Sequence, residues 1–316
     1  MNLNQLRYVL AVAQEGNFSR AAKRCHVSQP SLSVAVRNLE EELEVILFER
    51  FKHEVRVTPE GERVLVRIKQ ALEAVEHIRQ TARGEDADPL KGSLRLGAIF
   101  TIAPYLFPGF VPELHRQAPD LTLLLEENFT AVLSEKLKRG ELDAMVIALP
   151  YDEPGIVTQP IYDEPFVVGV PADHGWVDRN DLDGNDLASE QLLLLGKGHC
   201  FRDQVLEICP ACHQVADTVT GMHNIIEGSS LETIRHMVAS GVGITVLPLG
   251  SITTMVCSAM NCPEQSRSAL RYAYFKDPAP VRRVALAWRE SFPNPEIFEQ
   301  VVQALQAGMP KQMKEL

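Results

Sequence analysis

Residues Ser19 to Leu43 read SRAAKRCHVSQPSLSVAVRNLEEEL, and this stretch decides the fold of the front of the chain. Ser19 is placed to cap a short helix, Arg20 to Cys25, in which Ala21 and Ala22 are small enough to let another helix come close. His26 and Val27 make a turn. Ser28 caps a second helix, Gln29 to Leu43, with Pro30 in its first turn, where a missing N–H costs nothing. Leu32, Val36 and Leu39 share one face and point inward. A helix, a tight turn and a second helix is an arrangement that lays the second helix in the major groove of DNA. On that reading Gln29, Ser31, Ser33 and Arg37 face the base edges; a helical bundle with incidental polar residues is the alternative.

Upstream, Leu3 to Gly16 is an amphipathic helix with Leu6, Val9, Leu10 and Ala13 on one face. Downstream, residues 47–51 and 54–58 pair as a small hairpin wing that offers Arg50, Lys52 and Arg56 to phosphates. From Pro59 to Arg83 the apolar residues Val64, Ile68, Ala71, Val75, Ile78 and Ala82 are spaced as a heptad seam, which suits a second copy of the chain as coiled-coil partner. Two readers on one dimer fit a two-fold related site in double-stranded DNA. The polar run Gly84 to Pro89 marks the boundary.

The net charge of −11 argues against a generally basic nucleic-acid binder. Residues 1–58, however, hold eight Lys/Arg against seven Asp/Glu, so the acid excess lies in the remainder. Tyr8 to Ala13 is too short an apolar run for a signal peptide or a membrane span, so a cytoplasmic protein with no membrane partner is expected. There, six cysteines are no disulfide scaffold, and an oxidisable pair is more readily regulatory.

Beyond the boundary, strands at 93–100, 121–126 and 143–149 alternate with a helix at 101–116 and a helix capped by Thr130. That pattern means a parallel α/β sheet with ligands at the carboxyl ends of its strands, where Thr101 and Thr130 stand; either alone is also a plain helix cap. Strands at 166–170, 192–195 and 244–247 make a second subdomain, with a capping box at Ser229 to Glu232 opening a helix to Ala239. The strand 284–288 and the helix 296–307 return to the first subdomain.

The chemistry sits in Gly196 to Cys212, GKGHCFRDQVLEICPAC. Its glycines close a buried run of leucines, and Cys200 to Cys209 has helical spacing with Phe201, Val205, Leu206 and Ile208 apolar. Cys200 stands at the helix start, where unpaired N–H groups and the dipole favour a thiolate, and His199 and Arg202 add to that bias. Cys209 lies about 13 Å further along an intact helix. Since a disulfide needs Cα atoms within roughly 7 Å, a Cys200–Cys209 bond would require unwinding, which is how a redox signal becomes a change of shape. Two unrelated core cysteines are the plain alternative.

Residues 1–58 resemble the LysR-type transcriptional regulators. The resemblance is carried by Phe18-Ser19-Arg20-Ala21-Ala22, by Val27-Ser28-Gln29-Pro30-Ser31-Leu32-Ser33, by Leu39-Glu40 and by Leu47-Phe48-Glu49-Arg50. It extends over essentially the whole chain, with Glu44 standing where the family has glycine and Val34 and Ala35 replacing polar residues. The fold it implies is a winged helix-turn-helix (1–58), a dimerising linker helix (59–84), a hinge (85–91) and a two-lobed, periplasmic-binding-protein-like α/β regulatory domain (92–316). Lobe I would take about 92–163 plus 269–316, and lobe II about 164–268.

Within that family, Gly198-His199-Cys200-Phe201-Arg202-Asp203-Gln204 followed by Cys209 resembles the peroxide-sensing OxyR branch. So do Thr101-Ile102-Ala103-Pro104-Tyr105-Leu106 and Ser230-Leu231-Glu232-Thr233. The resemblance implies a DNA-binding regulator, not an enzyme, in which Cys200 is oxidised by hydrogen peroxide and Cys209 resolves the sulfenic acid as a disulfide. Thr101, Thr130 and His199 would hold peroxide, and Arg283, preferred over Arg282, would stabilise the thiolate. Asp203 would orient the arginines or favour the helix start. A homodimer assembling to a homotetramer is implied, with RNA polymerase as a further partner, and no cofactor.

Cys212, Cys257 and Cys262 go beyond the branch's pattern. Cys212 could compete as resolver or bond to Cys209. Tetrahedral zinc held by Cys209, Cys212, Cys257 and Cys262 is set aside because the pairs are far apart and the second spacing is loose. Cys25 reads as core. A LysR-type regulator answering a small organic effector, and a thiol peroxidase, are the competing functions.

Overall fold

The computed structural model describes residues 1–51, 55–82, 92–212, 225–253 and 269–309. The hinge expected at 85–91, Lys52, Cys257 and Cys262 lie outside the described residues. Two compact units are present, one built on the N-terminal helices and the other on the α/β remainder.

The first unit opens with α1 (Leu3–Glu15), capped by Asn2 and closed by Gly16 in the left-handed conformation. In α2 (Phe18–Arg24) the cap is Asn17, whose side chain accepts from the Ser19 and Arg20 N–H groups; the cap expected at Ser19 is two residues too late. α3 (Gln29–Leu43) is capped by Ser28, has Pro30 in its first turn and buries Leu32, Val36 and Leu39. It ends at Glu44, held at φ 54°. A side chain there crowds the following carbonyl, which costs roughly 1–2 kcal/mol. Glu44→Gly is expected to raise stability by ~0.5–1 kcal/mol after the extra freedom glycine adds to the unfolded chain, seen as a higher thermal midpoint.

The wing forms as expected: β1 (Phe48–Arg50) pairs antiparallel with β2 (Val55–Val57). Its entry is fixed by Glu40, whose carboxylate accepts from the Leu47 and Phe48 N–H groups at 2.8 and 3.1 Å. Along α4 (Pro59–Ala82) the heptad seam divides. Ile68 is buried and Val64 packs against the core of this unit, as the neighbouring Leu65 and Leu72 do, whereas Ile78 is 66% exposed.

In chain order, the elements that follow α4 are β3 (Gly92–Ile99), α5 (Ala103–Gln117), β4 (Leu121–Asn128), α6 (Thr130–Lys138), β5 (Ala144–Ala148) and β6 (Ile156–Pro171). A 3-10 turn (Gly184–Ser189) precedes β7 (Leu192–Leu195), α7 (Cys200–Ile208), β8 (Ile225–Gly228) and α8 (Leu231–Ala239). β9 (Thr245–Pro248), α9 (Gly250–Thr253), β10 (Leu270–Tyr274), β11 (Val281–Arg289) and α10 (Glu296–Gly308) follow. β3 is parallel to β4 and β5, but β11 runs antiparallel to β5 and β6, so the main sheet is mixed where an all-parallel one is expected.

The long β6 explains the two lobes. Its first part pairs with β11 up to Pro165, and from Phe166 to Pro171 it pairs with β9 and β10. One continuous strand therefore serves both halves. Ala273 and Phe275 pack in the second lobe's core beside Val168, Leu193 and Val205, although residues from 269 onward are expected in lobe I. α5 starts two residues later than expected, and Ser230 caps α8 by position without a side-chain hydrogen bond, so no capping box forms.

Candidate functional site

On the DNA-reading side, Gln29, Ser31 and Arg37 are exposed on α3 and Ser33 is half-buried. Ser31 Oγ lies 2.7 Å from Ser28 Oγ, so it shares its hydroxyl with the helix cap. Arg56 is exposed on β2 with its guanidinium over the Phe51 ring at 5.5 Å. Arg50 lies on β1 opposite Val55, its side chain outside the described residues. Val34, which the sequence reading set aside as a departure, is 53% exposed on the same helix. An apolar side chain there is suited to a thymine methyl group.

The sulfur site is built where β3, β4 and β7 end. β3 delivers Phe100 and Thr101, β4 delivers Phe129 and Thr130, and β7 leads through Gly198, at φ 98°, to His199 and the first residue of α7, Cys200. These residues line a small pocket of about 10 Å³. Cys200 is a free, half-buried thiol, and the Thr130 hydroxyl donates to its Sγ at 3.8 Å. Phe129 packs edge-on to His199 with ring centroids 4.7 Å apart, and Phe100 meets Phe129 at 5.2 Å. These rings form an apolar wall, and the threonines supply the polar contacts.

Thr101 is buried, and its hydroxyl oxygen accepts from Arg282 Nη1 at 2.8 Å while its carbonyl accepts from Nη2 at 2.8 Å. The hydroxyl proton of Thr101 thus remains available to a guest. Arg282 also pairs with buried Glu164, Nη2 to Oε2 at 2.6 Å, and lies over the Phe201 ring at 5.2 Å. Arg283 points the other way, into an exposed ion pair with Asp163 at 2.7 Å. Arg283 is thus turned away from the pocket, and of the two arginines it is Arg282 that reaches the pocket residue Thr101. Strand alternation held the signal: in β11, positions 282 and 284 are buried and 281 and 283 exposed.

Three further expectations change. Arg202 is buried, but it donates to the Leu195 carbonyl at 3.0 Å and pairs with Glu227 at 2.8 Å, so its charge is committed elsewhere. Asp203 is exposed in the first turn of α7 and, among the described residues, pairs with no arginine, which leaves the second of its two expected roles, favouring the helix start. Burial holds the His199 imidazole below its usual range, partly offset by a hydrogen bond with the Ser229 backbone, so it is neutral at pH 7 and brings no positive charge to the sulfur.

A depressed histidine binds its proton less readily folded than unfolded, so its contribution is complete above about pH 6.5 and is lost as pH falls through the folded value. Wild-type stability is expected to fall more steeply as pH drops below about 6.5 than that of His199→Asn, measured by urea midpoints at each pH. Equal slopes would show that His199 is not the group responsible.

Cys209 is the residue after α7, and it is bonded to Cys212. Both are buried beneath the helix, in the core that holds Phe201, Val205 and Leu206. Cys200 and Cys209 are thus not brought together; the pair that forms is the second one the sequence leaves open. Cys25 is half-buried against the helical core, and burial pushes its thiol up, as fits a packing residue.

Residues 3–62 match the model of the bacterial regulatory helix-turn-helix protein, lysR family, and residues 87–310 match the LysR substrate binding domain. The DNA-binding transcriptional dual regulator OxyR of Escherichia coli K12 is 36% identical over 309 residues, covering 98% of this chain and 96% of that protein. A full-length OxyR variant from Pseudomonas aeruginosa is similar in structure at 48% identity and TM-score 0.79, covering 97% of this chain and 95% of that one. A hydrogen peroxide-bound OxyR mutant from Corynebacterium glutamicum is similar at 34% identity and TM-score 0.62, covering 97% and 92%.

Proposed function

Because this chain belongs to the LysR family of transcriptional regulators, we propose that it is a DNA-binding regulator that senses hydrogen peroxide through Cys200. The observation that carries this reading is the free Cys200 sulfur at the first residue of α7, facing a pocket whose polar lining includes Thr101, Asn128, Thr130 and His199. The Thr130 O–H donates to the sulfur, and the positive end of a nine-residue helix dipole favours its anion, the form that attacks peroxide. Thr101 and Thr130 hydroxyls and the neutral His199 ring are suited to a small guest with two O–H groups.

Attack by Cys200 expels hydroxide and leaves a sulfenic acid, which a reduced Cys209 condenses with to a disulfide. Joining them requires α7 to unwind, and the refolded regulatory domain changes how the helix-turn-helix engages DNA. Gln29, Ser31, Ser33, Arg37 and Arg56 are the residues placed to meet DNA, with Arg50 on the wing strand beside them. The open seam beyond Leu72 on α4, with Ile78 exposed, suits a second copy of the chain, and a dimer suits a two-fold related site. Among the described residues no helix is long and apolar enough to cross a membrane; a regulator of genes works in the cytoplasm.

The test is a DNA footprint with reduced protein, before and after one equivalent of peroxide. Immediately after the addition, wild type is expected to change its footprint and lose its alkylatable Cys200; Cys200→Ser is expected to do neither. A Cys200→Ser protein that responds like wild type would sink the reading. A neighbouring cleft of about 340 Å³, lined by Thr101, Tyr105, Glu127, Ser230 and Glu232, supports the second reading, an organic effector. A metabolite that shifts the footprint while Cys200 stays reduced under peroxide would favour it.

A further inference from the structure

We propose that Cys212 is a second resolving cysteine, which takes Cys209 back from Cys200 and so ends the signal from within the chain. This rests on the peroxide reading of Cys200. The structure holds Cys209 bonded to Cys212 with Cys200 free and α7 intact. The Cys209–Cys212 bond spans only Pro210 and Ala211, just past the helix, with Cα atoms 5.2 Å apart. It coexists with every residue of α7. A Cys200–Cys209 bond does not, because its ends stand at the two ends of the helix, about 13 Å apart by rise.

The steps balance. Cys200 thiolate displaces hydroxide from peroxide to give a sulfenic acid, and the Cys209 thiol condenses with it, releasing water. The Cys212 thiolate then attacks Cys209 Sγ and expels Cys200 as a thiolate. Peroxide has taken two electrons from Cys209 and Cys212, and Cys200 ends as it began.

The exchange conserves the number of disulfides, so what drives it is the fold. Unwound, α7 exposes Phe201, Val205 and Leu206, which are 2, 1 and 7% exposed when it is formed; rewinding buries them again. Cys212 cannot be left behind, since it is three residues from Cys209, and that tether keeps its effective concentration high. The end state is the one observed here. It can be oxidised again at Cys200 but has no resolver until an outside thiol reduces Cys209–Cys212, so one reduction licenses one pulse.

The test follows fully reduced, full-length protein after one equivalent of peroxide, with no reductant present, by timed alkylation and mapping of disulfide-linked peptides. In wild type the Cys200–Cys209 peptide is expected first and is then replaced by Cys209–Cys212, as free Cys200 reappears. In Cys212→Ser, and in Cys212→Ala as the better-packed replacement in a buried site, Cys200–Cys209 is expected to persist ~tenfold longer or more. In Cys200→Ser, Cys209 and Cys212 are expected to stay reduced. Equal persistence in wild type and both variants would overturn the relay, as would Cys209–Cys212 forming at the wild-type rate in Cys200→Ser. No oxidation of Cys200 in any protein would overturn the peroxide reading itself, and the relay with it.

Discussion

Arg282→Ala is expected to destabilise the regulatory unit by about 3–5 kcal/mol, the usual cost of leaving a buried charge without its partner. Arg282 and Glu164 are each about 2% exposed, and the guanidinium also serves both the hydroxyl and the carbonyl of Thr101. Its removal strands Glu164, whose other oxygen accepts from the Gly250 N–H at 2.8 Å at the start of α9. The group therefore ties β3, β6, β11 and the segment after β9 together at the place where β6 passes from one lobe's pairing to the other's. Denaturant midpoints measure the loss. Arg282→Met combined with Glu164→Leu is expected to recover part of it, since no unpaired charge then remains. A loss below ~1 kcal/mol for the single change would mean that the pair contributes no more than an ordinary hydrogen bond.

Phe201→Ala carries the second large effect, and it separates stability from signalling. Phe201 is 2% exposed, sits edge-on to Phe166 at 5.3 Å and lies under the Arg282 guanidinium. Truncating such a ring costs about 3–5 kcal/mol through lost burial and the cavity left behind. All of that loss falls on the packed form of α7, which must come apart before Cys200 can meet Cys209. The variant is expected to be less stable to urea yet faster to form the Cys200–Cys209 link after peroxide. Phe298→Ala is the control: Phe298 is 1% exposed and stacks on Trp288 at 4.8 Å, away from α7. It is expected to lose comparable stability without a change in the rate of linkage. If both variants link faster, general loosening rather than release of α7 sets that rate.

Much of the DNA-reading half was legible because its signals are local. The Ser28 cap, Pro30 in the first turn and the inward face of Leu32, Val36 and Leu39 each depend on residues within a turn or two of one another. Even the departure at Glu44 could be seen, because a helix that must turn sharply into a wing needs a left-handed residue, and a residue other than glycine stands there. In the regulatory half, the strand–helix alternation and the helix opening at Cys200 followed from periodicity in the same way.

By itself the sequence determined the helix-turn-helix, the wing, the long α4, the alternating α/β plan and the start of α7 at Cys200. It also named the threonines of the pocket through their places at strand ends. Tertiary structure decided which arginine turns inward, that His199 is neutral, that Arg202 is spent on Glu227, that the main sheet is mixed and that Cys209 has Cys212 for its partner. The physical reason is range. Caps and periodicities act over three or four residues, whereas Arg282 meets Thr101 across 181 positions and Glu164 across 118. Contacts of that span depend on how the strands are ordered and on what burial leaves for each charge to pair with, and neither is written in any short stretch of the chain.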